Sequence, residues 1–224
     1  MIKILFRICL ITAVFFTTIF LMNRFDDNKR LNISSPLGSI FEKKEVNVGY
    51  TESVREDGTI DIFLTDRIGH MELYVPLVRM FKRLDSSDTV VIHMANYGGS
   101  VQSGSQIINA MRISKAKMIV ELEGPSYSMG AIITCAADEI IVHPHTYLMF
   151  HTFSTRMQGK GSDMITQLAA MNKLMNDMFI QECVTNNILS MQQVRTILLG
   201  GDIYVHPYEL LNATGVKPKN IEVE

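Results

Sequence analysis

Ser128 stands where a β-prone apolar run and a glycine turn give way to a helix-length segment, the junction in this sequence best suited to covalent chemistry. The run Met118 to Leu122 reads as a strand, Gly124 opens a turn, and MGAIITCAA follows Ser128 directly. A serine at such a junction can hold its hydroxyl clear of the backbone, while the first helix amides point into the same space. Those amides would hold a developing oxyanion, so the arrangement fits an acyl-transfer nucleophile. After a turn at His143 to His145, the run TYLMF delivers His151 at its C-terminal end, where a neighbouring strand would set the imidazole beside Ser128 as a general base. Two plainer readings stand beside this one: Ser128 as an ordinary helix N-cap, and His151 as a half-buried histidine. Ser126 is the rival nucleophile.

Strands and helices alternate around that junction from Thr59 onward. IDIFL reads as a strand, His70 to Leu84 as a helix with Pro76 as an early kink, and TVVIHM as a buried strand. Gly98 and Gly99 then form a loop before a helix that begins near Val101. Paired glycines let a backbone amide approach a ligand with no Cβ in the way, although a plain turn uses them as well. Beyond His151, RMQGKGSD reads as a polar hairpin or loop, and a long helix is expected from Asp163 to Asn187. Met164, Leu168, Met171, Met175 and Met178 follow one another at spacings of four and three and draw one apolar stripe down it. That stripe can face the chain's own core or a neighbouring chain. Ser190 and Gln193 form a capping box for a short helix that stops at Gly200 and Gly201, and Pro207 suits the first turn of a last helix, Pro207 to Asn212. Asp202 reads as a loop-end carboxylate.

The organisation along the chain is a hydrophobic anchor (1–27), a linker or arm (28–57), one enzyme-sized domain (58–218) and a short tail (219–224). The run Ile8 to Met22 is uncharged, and no small-x-small cleavage site follows it, so a retained single-pass membrane anchor is favoured over a removed signal. Basic residues flank it on both sides, so charge counting assigns no orientation. A formal charge of −2 gives no nucleic-acid footprint. Cys9, Cys135 and Cys183 lie far apart without metal-ligand spacing, so packed thiols are expected rather than a disulfide framework or a zinc site. No GxGxxG or GxxxxGK[ST] opens any helix, so no nucleotide cofactor is expected. His143 and His145 form an H-x-H, but only Asp138 and Glu139 are near in sequence as further ligands, and no metal is expected.

GPSYSMGA (Gly124 to Ala131) resembles the nucleophile motif of the Clp protease proteolytic subunit family, ClpP. Further blocks resemble that family in its own order: IDIFLTDRIGHM its first core strand and turn, NYGGSVQSG its glycine-pair loop, MFHTFS its histidine strand, and GDIYVHPYELLNATGV its aspartate segment. The resemblance implies a ClpP/crotonase-like α/β superhelix of stacked strand-strand-helix units with a protruding handle helix. It implies a serine endopeptidase acting through Ser128, His151 and Asp202, an acyl-enzyme intermediate, and an oxyanion hole from Gly98 or Gly99 with Met129. A polypeptide substrate, a homo-oligomeric ring joined through the handle and, on a cytosolic face, an ATP-dependent unfoldase partner belong to the same expectation. Tyr97 and Thr152-Phe153 replace a proline and a Gln-Pro of the family pattern, so specificity does not transfer with the chemical groups. Two other readings remain: a non-catalytic scaffold of the same fold, and a membrane-bound relative of the signal peptide peptidase A type. The latter needs a serine and lysine pair, and no lysine here matches it.

Overall fold

A computed structural model describes residues 49–213 and 215–218. The expected anchor, most of the arm and the tail lie outside these residues. Among the described residues no helix is long and apolar enough to cross a membrane.

The strands are β1 (Thr51–Val54), β2 (Ile60–Leu64), β3 (Thr89–Met94), β4 (Lys117–Leu122), β5 (Ser126–Tyr127), β6 (Glu139–Val142), β7 (Leu148–Phe150), β8 (Ile203–Val205) and β9 (Val216–Pro218). The helices are α1 (Val75–Phe81), α2 (Val101–Ile113), α3 (Met129–Cys135), α4 (Gly161–Met178), α5 (Met191–Leu198) and α6 (Pro207–Leu210). Six strands form one sheet in the order β1-β2-β3-β4-β6-β9, and β5-β7-β8 form a second, smaller sheet. Within the large sheet β1 pairs antiparallel to β2, and every other pairing is parallel.

Strand periodicity sets the two faces of the large sheet. Val90, Ile92, Met94, Val120 and Leu122 are fully buried in the core that also takes in Leu77 and Phe81 of α1 and Ile107 and Met111 of α2. The opposite face carries Asp61, His93, Glu121 and Glu139, all buried polar residues tied into ion pairs. Glu139 sits between Lys117 at 2.7 Å and Lys217 at 2.9 Å, which hold its carboxyl below the usual range and clamp β4, β6 and β9 together.

Four expectations are corrected. Residues 51–54, assigned to the arm, form the edge strand β1; all four are exposed, so they carry no buried-face alternation and pair through the backbone alone. The expected helix over 70–84 splits into a 3-10 turn, Met71–Tyr74, and α1, because Pro76 falls in the first turn of α1 and starts that helix instead of kinking a longer one. The long helix begins at Gly161 and changes after Met178 into a π-helical stretch, Phe179–Val184. There Cys183 meets Cys135, and Glu182 meets Arg112 of α2, two fixed partners that a locally widened turn reaches together. The fourth correction is that bond itself: Cys135 and Cys183, expected as packed thiols, form a disulfide with Cα atoms 4.9 Å apart, because the fold folds α4's root back onto the end of α3.

A cross-link across 48 residues removes enough unfolded-chain entropy to stabilise the domain by about 4 kcal/mol. Mass spectrometry of an unreduced digest is expected to find the Cys135 and Cys183 peptides joined, and reduction is expected to lower the urea midpoint. Separate peptides in the unreduced digest would refute the bond.

Candidate active site

β5 is two residues long, yet it fixes the site. Ser126 pairs with Leu148 and Tyr127 with Met149 in parallel register, and the Ser128 amide donates to the Met149 carbonyl at 2.7 Å. The Tyr127 amide donates to the Asn96 carbonyl at 2.8 Å, and Ile132 N donates to Ser128 O at 3.1 Å. Held on both sides, Ser128 adopts φ 54 and ψ −118, a conformation a serine reaches only under strain of about 1–3 kcal/mol. Its side chain makes no capping bond, so the N-cap reading does not describe it. A strained serine between a strand and a helix whose first amides it leaves uncapped has the geometry of a nucleophile elbow.

The other strands of the small sheet bring the remaining candidates. β7 pairs with β8 antiparallel, Phe150 opposite Ile203, and continuing that register by one residue sets His151 opposite Asp202. Ser128, His151 and Asp202 therefore stand at neighbouring strand ends of one sheet. Ser128, Met129, Gly99 and His151 line a single cavity of about 190 Å³. Asp202 is exposed and lies outside that cavity's lining. Among the described residues no hydrogen bond joins the Ser128 hydroxyl, the His151 ring and the Asp202 carboxylate.

Gly98 and Gly99 are not an interchangeable turn. A Cβ on Gly99 would lie 2.1 Å from the Ile68 carbonyl oxygen, and one on Gly98, at φ +76, would lie 2.6 Å from Tyr127 O and 3.0 Å from Met129 N. The loop is thus wedged between the turn after β2 and the elbow. Ile68 N donates to Gly98 O and Ser100 N to Ile68 O, both at 2.9 Å. The missed organiser is Asn96, which is 1% exposed. Its Oδ1 accepts from Gly98 N at 2.7 Å, while Nδ2 donates to Leu64 O at 3.0 Å and to Asp66 O. An asparagine just before a glycine pair was the available signal.

Ser126 is fully buried, its hydroxyl closed in by Gly130 and Asn96, so a polypeptide carbonyl has no path to it. The arrangement puts a half-buried, cavity-lining serine, an imidazole and a first-turn residue of the helix around one cavity, the groups acyl transfer requires.

A family model described as Clp protease matches residues 51–205, a range that starts on β1 and includes Ser128, His151 and Asp202. The chain belongs to the Clp protease family. No match is found among curated proteins. As a Clp protease family member it is a peptidase-family chain, and its mixed α/β architecture is of the ClpP/crotonase-like kind. In this family member the remaining cavity wall comes from Arg67, Tyr97, Val101, Phe153, Ser154 and Met175. Tyr97 and Phe153 stand at two of the departures from the family pattern noted in the sequence, so those departures fall on the cavity wall and leave Ser128 and His151 in place.

Gly98→Ala combines a left-handed backbone with a backbone clash, and is expected to cost about 2–4 kcal/mol by urea unfolding. A loss below about 0.5 kcal/mol would show that the loop yields and that its contact with the elbow is not a constraint.

Proposed function

We propose that the chain is a serine endopeptidase that cleaves polypeptides through Ser128, His151 and Asp202 and works as an oligomer. The observation that carries this reading is the strained elbow at Ser128 facing a cavity shared with His151. Ser128 Oγ attacks the peptide carbonyl carbon while His151 accepts its proton. The oxyanion is held by the amides of Met129 and the glycine pair, Gly98 and Gly99. Collapse breaks the C–N bond, His151 returns the proton to the leaving amine, and water then releases the acyl group with the same base. Asp202, across the β7–β8 register, orients the imidazole. Tyr97, Phe153 and Met175 favour an apolar or aromatic substrate side chain beside the scissile bond.

The handle supports assembly. Met175 and Met178 are buried, whereas Leu168 and Ile165, further out on α4, are 36% and 70% exposed. An apolar stripe that continues past the protomer's own core is suited to a second copy. The uncharged run Ile8 to Met22 supports a single-pass membrane anchor. The Cys135–Cys183 disulfide favours an oxidising compartment for the domain, where a nucleotide-driven unfoldase has no fuel.

A non-catalytic scaffold is the second reading, favoured by the absence of hydrogen bonds among the three residues. Catalytic hydrogen bonds commonly tighten only when substrate binds, so the enzyme reading stands first. Fluorophosphonate labelling separates the two: Ser128 is modified in an enzyme and nothing in a scaffold.

Ser128→Ala and His151→Ala are each expected to lower kcat/KM for a peptide by about 10⁴-fold or more, with the double variant little worse than either. Ser126→Ala abolishing activity while Ser128→Ala retains it would overturn the assignment.

Ile165→Glu combined with Leu168→Lys is expected to split the assembly into folded protomers, read by light scattering on the full chain in mild detergent. Wild-type chains that are active as monomers would refute the assembly.

A further inference from the structure

The polar face of the large sheet carries a cluster that the peptidase chemistry does not use. Among the described residues His93, Glu121 and Glu123 offer one ligand atom each, all within 4.8 Å of one another. The strand register explains the convergence: His93 on β3 is the direct partner of Glu121 on β4, Glu121 is the partner of Ile141 on β6, and Glu123 and His143 lie two residues further along the same face. His143 Nε2 lies 2.9 Å from Glu121 Oε1. His93, Glu121 and Glu123 thus meet at the C-terminal ends of neighbouring parallel strands, and His143 of the next strand reaches the cluster through Glu121. His93 and Glu121 have side chains only 8% and 9% exposed, while Glu123 and His143 border a cavity of about 520 Å³ that opens the cluster to solvent. That cavity shares no lining residue with the one at Ser128.

The ring of His93 is held between carboxylates on both nitrogens. Nε2 lies 2.8 Å from Asp61 Oδ1, and Nδ1 lies 2.8 Å from Glu123 Oε1. Asp61 is in turn gripped by Arg55, through Nε at 2.8 Å and Nη2 at 2.7 Å, so it is an ionised acceptor. With Nε2 turned to Asp61, Nδ1 is the ring nitrogen that faces the carboxylate of Glu123. A carboxylate behind one imidazole nitrogen, with the other nitrogen aimed at further donors, is the arrangement that orients histidine ligands on metals. Phe63, stacked on His93 with ring centroids 4.3 Å apart, fixes the ring plane.

We propose that His93 Nδ1, His143 Nε2, Glu121 and Glu123 bind one zinc ion, with Asp61 as the outer carboxylate that positions His93. Four ligands of this mixed nitrogen and oxygen type suit tetrahedral zinc, and the two carboxylates cancel the charge of the dication. Two imidazoles disfavour magnesium and calcium, which take oxygen ligands. The sequence pairs His143 with His145 and with Asp138 or Glu139; in the fold Asp138 accepts from Met118 N and Glu139 is held by two lysines, so neither is the ligand. The ligands come instead from strands that are neighbours in the sheet and distant in sequence. The ion ties together the ends of β3, β4 and β6, and Glu123 lies on the short connection that leads from β4 to Ser128.

The test uses the full chain in mild detergent, purified without a histidine tag and stripped with EDTA. Zinc chloride titrated by calorimetry is expected to bind at one ion per chain and to raise the thermal midpoint. Glu123→Gln and His143→Ala, at the solvent edge of the cluster, should each weaken binding at least about tenfold, and Asp61→Asn by about 10–100-fold. Cobalt(II) in place of zinc should give the visible spectrum of a four-coordinate site, reduced by the same variants. No zinc binding by the stripped chain, or binding that Glu123→Gln and His143→Ala leave unchanged, overturns the proposal. Should a variant fail to fold by circular dichroism, a six-coordinate cobalt spectrum in the wild-type chain overturns it equally.

Discussion

Backbone meets backbone with no side chain between at Gly98 and Gly99, and the site depends on that contact. Three segments from different parts of the chain converge there: the turn after β2 at Ile68, the glycine loop after β3, and the elbow between β5 and α3. Their separation is set by what two absent Cβ atoms leave free. A residue with a side chain at either position would push Ile68 or Tyr127 away and carry Ser128 and Met129 with it. Asn96 makes the contact directional. Buried and fully engaged, it bonds the end of β2 with its amide nitrogen, the glycine loop with its side-chain oxygen and β5 with its main-chain oxygen. One residue thus spreads the register of the large sheet into the small one.

Orientation of α3 follows from the same packing. Seven residues make a helix too short to be stable alone, so its direction is set by its surroundings. All seven are buried. Gly130 lets the helix lie against Asn96 and Ser126, and Gly104 of α2 leaves room for the Met129 side chain. At the far end Cys135 is bonded to Cys183. The strain held at Ser128 persists because three amides around it are committed: releasing it would break the bonds of Tyr127, Ser128 and Ile132 together.

Features with a local cause were legible in the sequence. β3 reads as a buried strand, the capping box of Ser190 and Gln193 forms as written, and α2 begins at Val101 just past the glycine pair. Ser128 and His151 were found from strand-end placement, and both line the cavity. What escaped was long-range. β1 pairs through its backbone with four exposed residues, so it left no hydrophobic pattern. The disulfide joins residues 48 apart whose meeting is decided by how α4 returns to the body, and spacing alone carries no trace of that. The partner of His143 was sought nearby in sequence, whereas in a parallel sheet it sits one strand over, on β4.

The handle shows how one stretch of sequence serves two environments. Its apolar stripe is continuous, yet burial changes along it: Met175 and Met178 are core, Met164 and Met171 are half-buried, and Leu168 is exposed. The π-helical stretch that follows fixes the inner end, because Cys183 is bonded to α3 and Glu182 to Arg112 of α2. A helix anchored at its root and free at its tip acts as a lever. Its fulcrum is close to the site, since Met175 lines the same cavity as Ser128 and His151. The segment 153–158 lies along the outer half, where Phe153, Arg156 and Met157 share a cavity of about 340 Å³ with Leu168 and Met171. Phe153 borders both cavities and is two residues from His151, so the outer handle and the Ser128 cavity share one aromatic side chain as a wall. The outer handle and the Ser128 cavity are thus separated by a single side chain, on elements already joined at the root.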